Sequence, residues 1–406
     1  AVGVGAWSSA STATPFTIPT APRSVVATPG DTTVSLTWAA PASTGGSVIT
    51  AYVVERSLDG GQSWTTVATT DGITTSWTDT ARTNGQTYSY RVTARNAAGT
   101  GSAAAVVTAT PFAPAGAPTR LTLVAGDASA QLSWTTPVSS GGLPILGYQI
   151  ESSIDGGGSW TVLVANTGST ATSATVGSLT NGQVYAFRVA AVTSPGAGAT
   201  STPASVTPFG VPSAPRSVVA DPSDGRIVVT WSAPASSGGS VITGYVVQTS
   251  SDGGATWTTA TTVTTTSTTL TGLTNGAPLV VRVFARNAAG DGVASGGVSA
   301  TPFAPAGAPT DLLATGGAGL VSLAWTAPAS TGGSPIIGYR VERSEDGGAN
   351  WVTSIGNTGV TTTSVVVSGL PSGITQTFRV SAVTALGVGI ASAIATAAPT
   401  GPPSAP

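Results

Sequence analysis

The chain of 406 residues contains no cysteine, histidine, methionine or lysine, and all fourteen of its basic residues are arginine. Without cysteine there is no disulfide, no thiol nucleophile and no cysteine metal ligand. Without histidine the chain lacks the commonest general base and the commonest transition-metal ligand, and without lysine it has no amine for a Schiff base. These absences predict a protein that is not an enzyme, with no catalytic residue, no cofactor and no metal site.

Charge is scarce as well: charged residues make up 7% of the chain, and the net charge is −2. No basic cluster is present, so we expect no nucleic-acid partner. The apolar residues never form the run of roughly 18 that a membrane-spanning helix needs, so we expect no membrane insertion in this segment. They alternate with threonine and serine, as in half-buried strands. Arginine without lysine, among abundant Ala, Gly and Pro, is typical of GC-rich genomes and favours a bacterial source, such as an actinobacterium.

One arrangement of aromatic residues recurs four times. A tryptophan stands fourteen residues before a tyrosine, and a second tryptophan follows that tyrosine by twelve. The sets are Trp38, Tyr52 and Trp64; Trp134, Tyr148 and Trp160; Trp231, Tyr245 and Trp257; and Trp325, Tyr339 and Trp351. A repeat every 94 to 97 residues predicts a tandem array of one small domain type. The predicted domains are residues 17–112, 113–209, 210–303 and 304–400, after the last strand of a preceding repeat at 1–16 and before the start of a following linker at 401–406.

The first repeat is read as strands A, B, C, C′, E, F and G. In strand B, Val34, Leu36 and Trp38 alternate with polar residues, which places Trp38 on a core face. Strand C is predicted at residues 48–57 with Tyr52 facing inward, and strand E to carry Ile73. Short strands separated by turns, with no helical period, predict an all-β fold of four tandem seven-stranded antiparallel β-sandwiches.

The strand-B tryptophan, the strand-C tyrosine and the run NGQTYSYRV together resemble a fibronectin type III, immunoglobulin-like domain. The resemblance implies a tyrosine corner, a buried phenol bonded to backbone, at Tyr88 and Tyr185. Leu279 and Gln376 hold this position in the last two repeats, which implies that the corner bond is lost there. The predicted structural core comprises Trp38, Tyr52, Tyr88, Trp134, Tyr148, Tyr185, Trp231, Tyr245, Trp325 and Tyr339.

Two further patterns recur in each repeat. The motif S-x-D-x-G resembles the Asp-box of sialidases and predicts hairpin turns held by Asp59, Asp155, Asp252 and Asp346, with ligand binding as the alternative. On strand F an outward arginine stands opposite a strand-C carboxylate or amide: Arg91 and Glu55, Arg188 and Glu151, Arg282 and Gln248, Arg379 and Glu342. The hypothesis for these is a cross-strand polar pair, and the alternative is an anion-binding stripe.

Pro-Phe stands at four repeat ends, at Phe16, Phe112, Phe209 and Phe303. Each phenylalanine either caps its own core or packs between adjacent sandwiches at the joint. The segment PFAPAGAPT occurs verbatim at 111–119 and 302–310, so the duplicated unit is a pair of domains.

The repeats predict a structural spacer, stalk or fibre segment of an extracellular bacterial protein, secreted or at the cell surface, that holds a terminal module away from a surface. The first alternative is an adhesion module that contacts a protein or a polysaccharide surface through the loops between strands B and C (BC loops, residues 43–47, 139–143, 236–240 and 331–334). The others are the linker array of a secreted polysaccharide-degrading enzyme and a phage fibre protein. Lateral self-association as a fibre is a further partner hypothesis.

Overall fold

The structure is a computed structural model that describes residues 3–401. Residues 1–2 and 402–406, which belong to the predicted end segments, lie outside the described residues. The chain divides into two compact units, Ala1–Pro208 and Phe209–Pro406, and each unit contains two β-sandwiches. No helix of the described residues is long and apolar enough to cross a membrane.

Each sandwich pairs a three-stranded sheet with a five-stranded sheet, and all the strands are antiparallel. In the first sandwich the sheets have the orders β1-β2-β5 and β4-β3-β6-β7, with β8 beside β6. The strands are β1 Arg23–Gly30, β2 Thr33–Ala39, β3 Ala51–Ser57, β4 Thr65–Asp71, β5 Ser76–Asp79, β6 Tyr88–Asn96, β7 Gly99–Ala103 and β8 Val107–Ala109. The all-β prediction is confirmed, but each sandwich has eight strands. In the first sandwich, β8 corresponds to the predicted last strand, and β7 is a further strand that was not predicted and also pairs with β6.

The second sandwich repeats this order. Its strands are β9 Thr119–Gly126, β10 Ser129–Thr135, β11 Gly147–Ser153, β12 Thr161–Val164, β13 Ser173–Val176, β14 Tyr185–Thr193, β15 Gly196–Thr200 and β16 Ala204–Val206.

The second unit contains the third and fourth sandwiches. The third comprises β17 Arg216–Ser223, β18 Arg226–Ser232, β19 Gly244–Ser250, β20 Thr258–Val263, β21 Ser267–Thr271, β22 Leu279–Asn287, β23 Gly290–Asp291 and β24 Val298–Ala300. The fourth comprises β25 Thr310–Gly317, β26 Leu320–Thr326, β27 Ile336–Ser344, β28 Val352–Ile355, β29 Ser364–Ser368, β30 Gln376–Thr384, β31 Gly387–Ala391 and β32 Ala395–Ala397.

A tryptophan from the second strand and a tyrosine from the third form the centre of each core. Their ring centroids lie 4.9–5.6 Å apart, and the rings are tilted or edge-to-face. All eight rings are buried. Edge-to-face aromatic pairs contribute about 0.5–1.5 kcal/mol beyond the area they bury. The four indole N–H groups have no hydrogen-bond acceptor among the described residues.

Three local expectations differ from the structure. Strand β3 begins at Ala51, so Val48 lies in the preceding loop and is 77% exposed. Ile73 is 87% exposed in the turn before β5, where Asp71 accepts the backbone N–H of Ile73 and of Thr74. Residues 3–16, expected as the last strand of a preceding repeat, form no strand. A strand requires neighbouring backbone partners, and no described strand pairs with this segment.

Candidate functional site

The linker that enters each sandwich is bound by that sandwich through its main chain. The residue after each Pro-Phe donates its N–H to the carbonyl of the first BC-loop glycine. These bonds, 2.8–2.9 Å long, join Thr17 to Gly45, Ala113 to Gly141, Gly210 to Gly238 and Ala304 to Gly332. A Cβ on any of the four glycines would lie 1.9–2.2 Å from a linker carbonyl oxygen, so no other residue fits the contact.

A second glycine faces the linker from β7, β15 or β31 and, in the third sandwich, from the residue after β23. At Gly101, Gly198, Gly292 and Gly389 a Cβ would lie 2.2–2.6 Å from the linker carbonyl oxygens of Pro19, Ala115, Pro212 and Ala306. The next strand residue donates an N–H to the same carbonyl in three sandwiches, from Ala199, Val293 and Ile390. We call each pair of glycines with its linker contacts the linker clamp. The BC loops, which the sequence offered as binding loops, thus contact the linker.

Asn96 and Asn287 reinforce the clamp in the first and third sandwiches. Asn96 Nδ2 donates to the carbonyls of Thr17 in the linker and Thr44 in the BC loop, at 2.7 and 2.8 Å. Asn287 makes the same two bonds to Gly210 and Ser237, both at 2.8 Å. Both asparagines are buried. Neither asparagine was predicted from the sequence to have a role in the joint.

Within each unit, two glycines bring the neighbouring sandwiches into direct backbone contact. In the first unit, a Cβ on Gly142 of the second sandwich would lie 2.3 Å from the backbone nitrogen of Gly85 in the first. Both have positive φ, 93° and 85°, which favours glycine on conformational grounds as well. Gly333 and Gly276 repeat the contact in the second unit, where the corresponding distance is 2.5 Å.

Among the described residues, none of the four Pro-Phe phenylalanines belongs to the core cluster of a sandwich. Phe16 is 48% exposed, and Phe112, Phe209 and Phe303 are half-buried. Phe303 lines a cavity of about 60 Å³ with Leu386 and Val388 of the fourth sandwich, the one that follows it. That these phenylalanines set the joints stays a prediction.

The four S-x-D-x-G motifs form the turns between the third and fourth strands. Ser57 Oγ donates to Asp59 Oδ1 at 2.6 Å and accepts the N–H of Gly61 at 2.8 Å. Asp59 also accepts the N–H groups of Gln62 and Ser63 and the Ser63 hydroxyl. These hydrogen bonds, led by those from the two serine hydroxyls, hold the pKa of Asp59 well below its ordinary value of 3.8.

The same turn recurs at Asp155, Asp252 and Asp346, whose pKa values are also lowered by hydrogen bonds within the turn. Each carboxylate accepts hydrogen bonds from residues of its own turn, and this is the arrangement expected if the motif stabilises a hairpin. The residues described contain no cluster of three or more acidic side chains that could hold a metal ion.

The outward arginines of strand F make two contacts each. Arg91 Nε donates to Glu55 Oε2 at 2.7 Å, and its guanidinium lies 4.4 Å from the ring centroid of Trp64. Arg188 and Arg379 stack on Trp160 and Trp351 at 4.2 Å and pair with Glu151 and Glu342. Each of these three arginines therefore forms the predicted cross-strand pair with its glutamate. The tryptophan partner was missed, because its distance from the arginine in the sequence varies among the repeats.

The tyrosine corner is present in the first unit. The hydroxyl of Tyr88 accepts the N–H of Thr83 at 3.0 Å, and that of Tyr185 accepts the N–H of Thr180 at 3.1 Å. Leu279 has no group for such a bond. Gln376 is fully buried, and its Oε1 has no partner among the described residues.

Comparison with known proteins establishes the family. A model of the fibronectin type III domain matches residues 20–110, 116–207, 213–301 and 307–398. The chain belongs to the fibronectin type III family. Each match contains the eight strands of one sandwich and begins just after the linker residues that the clamp contacts.

Several curated proteins are similar to this chain. Myomesin-2 of Homo sapiens is 30% identical over 276 residues, which is 64% of this chain and 18% of that protein. Striated-muscle M-protein of Gallus gallus is 29% identical with the same coverage, and cardiac-type myosin-binding protein C of Rattus norvegicus is 32% identical over 44% of this chain and 14% of its own length. The chain spans less than a fifth of each relative. These relatives are animal proteins and give no support to the bacterial source expected from composition.

Among solved structures, the FN1–FN3 domains of chicken CNTN1 match 71% of this chain and all of that chain, at 21% identity and a TM-score of 0.28.

Proposed function

We propose that this chain is a structural spacer that sets the separation and orientation of the protein modules attached to its ends. The observation that carries this proposal is the linker clamp. In it, each sandwich holds the entering chain with one glycine of its BC loop and a second glycine that faces the linker. Main-chain hydrogen bonds and glycine contacts restrict a joint more than an unstructured linker of the same length would.

The clamp also bears on the alternative of binding through the BC loops. Those loops have no aromatic residue, and the carbonyl of the first glycine in each is already bonded to the linker. A polysaccharide site of that kind would need exposed rings or free polar groups, so the spacer is the better-supported function. An enzyme-linker array and a phage fibre would use the same spacer property.

Protein partners fit the proposal better than polysaccharide does. One relative is named a myosin-binding protein. By analogy alone, we propose that this chain acts within a protein assembly and has no enzymatic activity of its own. We also propose an extracellular or cell-surface location, and this part of the proposal rests on composition.

A distance measurement within the first unit tests the spacer function. Because the chain has no cysteine, Thr66→Cys and Thr161→Cys can be spin-labelled without background. Both positions are exposed, one in each sandwich. We expect pulsed electron resonance to give one narrow distance distribution. A broad distribution would contradict the proposal, because a freely jointed pair cannot set an orientation.

A further inference from the structure

The outer face of the third sandwich differs from the other three at its arginine. Arg282 Nε and Nη2 donate to Gln248 Oε1 at 2.9 and 2.7 Å, where the sister arginines face a glutamate. The amide accepts hydrogen bonds but carries no charge. In the part of the chain that the structure describes, Arg282 forms no ion pair, so the charge of this half-buried guanidinium is not neutralised.

Two aromatic rings flank this guanidinium. Its central carbon lies 4.0 Å from the ring centroid of Trp257 and 5.0 Å from that of Phe284. The strand register places Thr93, Ala190 and Ser381 at the Phe284 position in the other sandwiches. Aromatic neighbours displace water from a guanidinium, which strengthens its charge-assisted hydrogen bonds to a carboxylate.

The same face has a glycine where the sister sandwiches have larger residues. Gly297 lies beside Trp257, such that a Cβ there would be 3.7 Å from the indole ring. The equivalent residues in the other sandwiches are Val106, Pro203 and Ile394. Gly297 therefore places no side chain over the edge of Trp257 next to Arg282.

We propose that this face of the third sandwich, formed by Gln248, Trp257, Arg282 and Phe284, binds a carboxylate side chain of an acidic segment in a partner protein. Gln248 occupies the Nε edge of the guanidinium, whereas Nη1 has no acceptor among the described residues. The incoming carboxylate accepts hydrogen bonds from Nη1 and Nη2 and supplies the charge that Glu55, Glu151 and Glu342 supply in the other sandwiches. This inference does not depend on the spacer function.

The test uses the full chain and an acetylated, amidated hexaglutamate peptide as the probe. NMR follows the Arg282 Nε–H and Trp257 Nε1–H signals during a peptide titration at low salt. We expect saturable shifts at these two signals, while Arg91, Arg188 and Arg379 remain unchanged. The shifts should weaken as salt is added, because the contact is ionic.

Two matched variants use the sister sandwiches as templates. Gln248→Glu introduces the carboxylate that the sister sandwiches have and should weaken peptide binding at Arg282 by about tenfold or more. Unchanged signals from the arginine–tryptophan pairs of the other three sandwiches would show that the fold is intact. Glu55→Gln removes the internal carboxylate from the first sandwich and should make Arg91 and Trp64 respond to the peptide, though more weakly, because Thr93 replaces the second ring.

Three results would overturn the proposal. The first is a response of Arg282 no larger than that of the exposed Arg95. The second is equal binding by Gln248→Glu, or by a hexaglutamine peptide in place of hexaglutamate. The third is a change at Arg282 with protein concentration alone, which would assign the carboxylate to a second copy of this chain.

Discussion

At the scale of single residues, the first sandwich contains a charged network where its sisters are apolar. Asp79 accepts a hydrogen bond from Tyr90 at 2.9 Å and pairs with Arg56 at 2.8 Å and Arg82 at 3.3 Å. Asp79 is 4% exposed, and burial together with the Asp79 bond raises the pKa of Tyr90. The fourth sandwich has Val367, Leu370 and Phe378 at the positions of Asp79, Arg82 and Tyr90.

This natural replacement gives the first prediction. Asp79→Ala should lower the local stability of the first sandwich by about 3 kcal/mol, because Arg56 and Arg82 then lose the buried carboxylate that compensates their charges. The triple variant Asp79→Val, Arg82→Leu, Tyr90→Phe copies the fourth sandwich and should cost less than the single change. Hydrogen exchange of β2 and β6 amides in the full chain measures this. A triple variant less stable than Asp79→Ala would show that the network is needed as a unit.

The second residue-scale prediction concerns the central tryptophan. Trp231→Ala removes a ring packed 5.4 Å from Tyr245 and should cost about 3–5 kcal/mol in the third sandwich. Amide exchange in β18, β19 and β22 should accelerate accordingly, while the fourth sandwich serves as the internal reference. A change below about 1 kcal/mol would be inconsistent with Trp231 as the centre of the core.

Single residues also show how far the sequence could be read. The aromatic period and the alternation around Trp38 indicate the core residues, because burial leaves a local pattern. Trp64 lies just before β4 and Arg91 lies on β6, so the two side chains meet across the strand between them, β3. Such a contact depends on register, which a β-bulge between Val54 and Glu55 alters. The glycines of the linker clamp could be seen in the sequence, but not their contacts, since these involve backbone atoms that are the same for every residue.

At the scale of elements, the turn between β3 and β4 should be sensitive to acid. The pKa of Asp59 is lowered in the folded turn, so its ionised form contributes stability above the unfolded pKa of about 3.9. That contribution to stability is lost as the pH falls from about 4 through the pKa that Asp59 has in the folded state. The amides of Gln62 and Ser63 should therefore titrate in NMR spectra with a midpoint below 3.8.

The matched control for this prediction is Asp59→Asn. The amide keeps the shape of the side chain but has one acceptor oxygen and no charge, so the turn should be weaker at neutral pH and should lose nothing further between about pH 4 and 2. The equivalent turn at Asp155 supplies an unaltered reference in the same molecule. If the amides of Gln62 and Ser63 titrate with a midpoint at or above 3.8, the folded turn does not favour the ionised form of Asp59.

At the scale of the molecule, the joint within a unit depends on atoms that side chains would displace. Gly85 and Gly142 meet through their backbones, and the linker between them is bound to Gly141 and Gly198 of the second sandwich. Composition and period predict that sandwiches follow one another, but joint geometry arises from packing between distant loops. The GG of the BC loops at Gly142 and Gly333 is the sequence feature that corresponds to this packing.

The final prediction tests that joint by adding one methyl group. Gly142→Ala places a Cβ 2.3 Å from the Gly85 nitrogen, so the two loops must separate. In the Thr66→Cys, Thr161→Cys background, we expect the distance distribution to shift or broaden. Gly156→Ala is the control, because Gly156 also has a positive φ, 75°, but nothing lies within 4 Å of its added Cβ. It imposes similar backbone strain in the same sandwich and should leave the distribution unchanged. If both variants match the parent, the glycine contact does not fix the joint, and the orientation must then come from the linker clamp and the phenylalanine at Phe112.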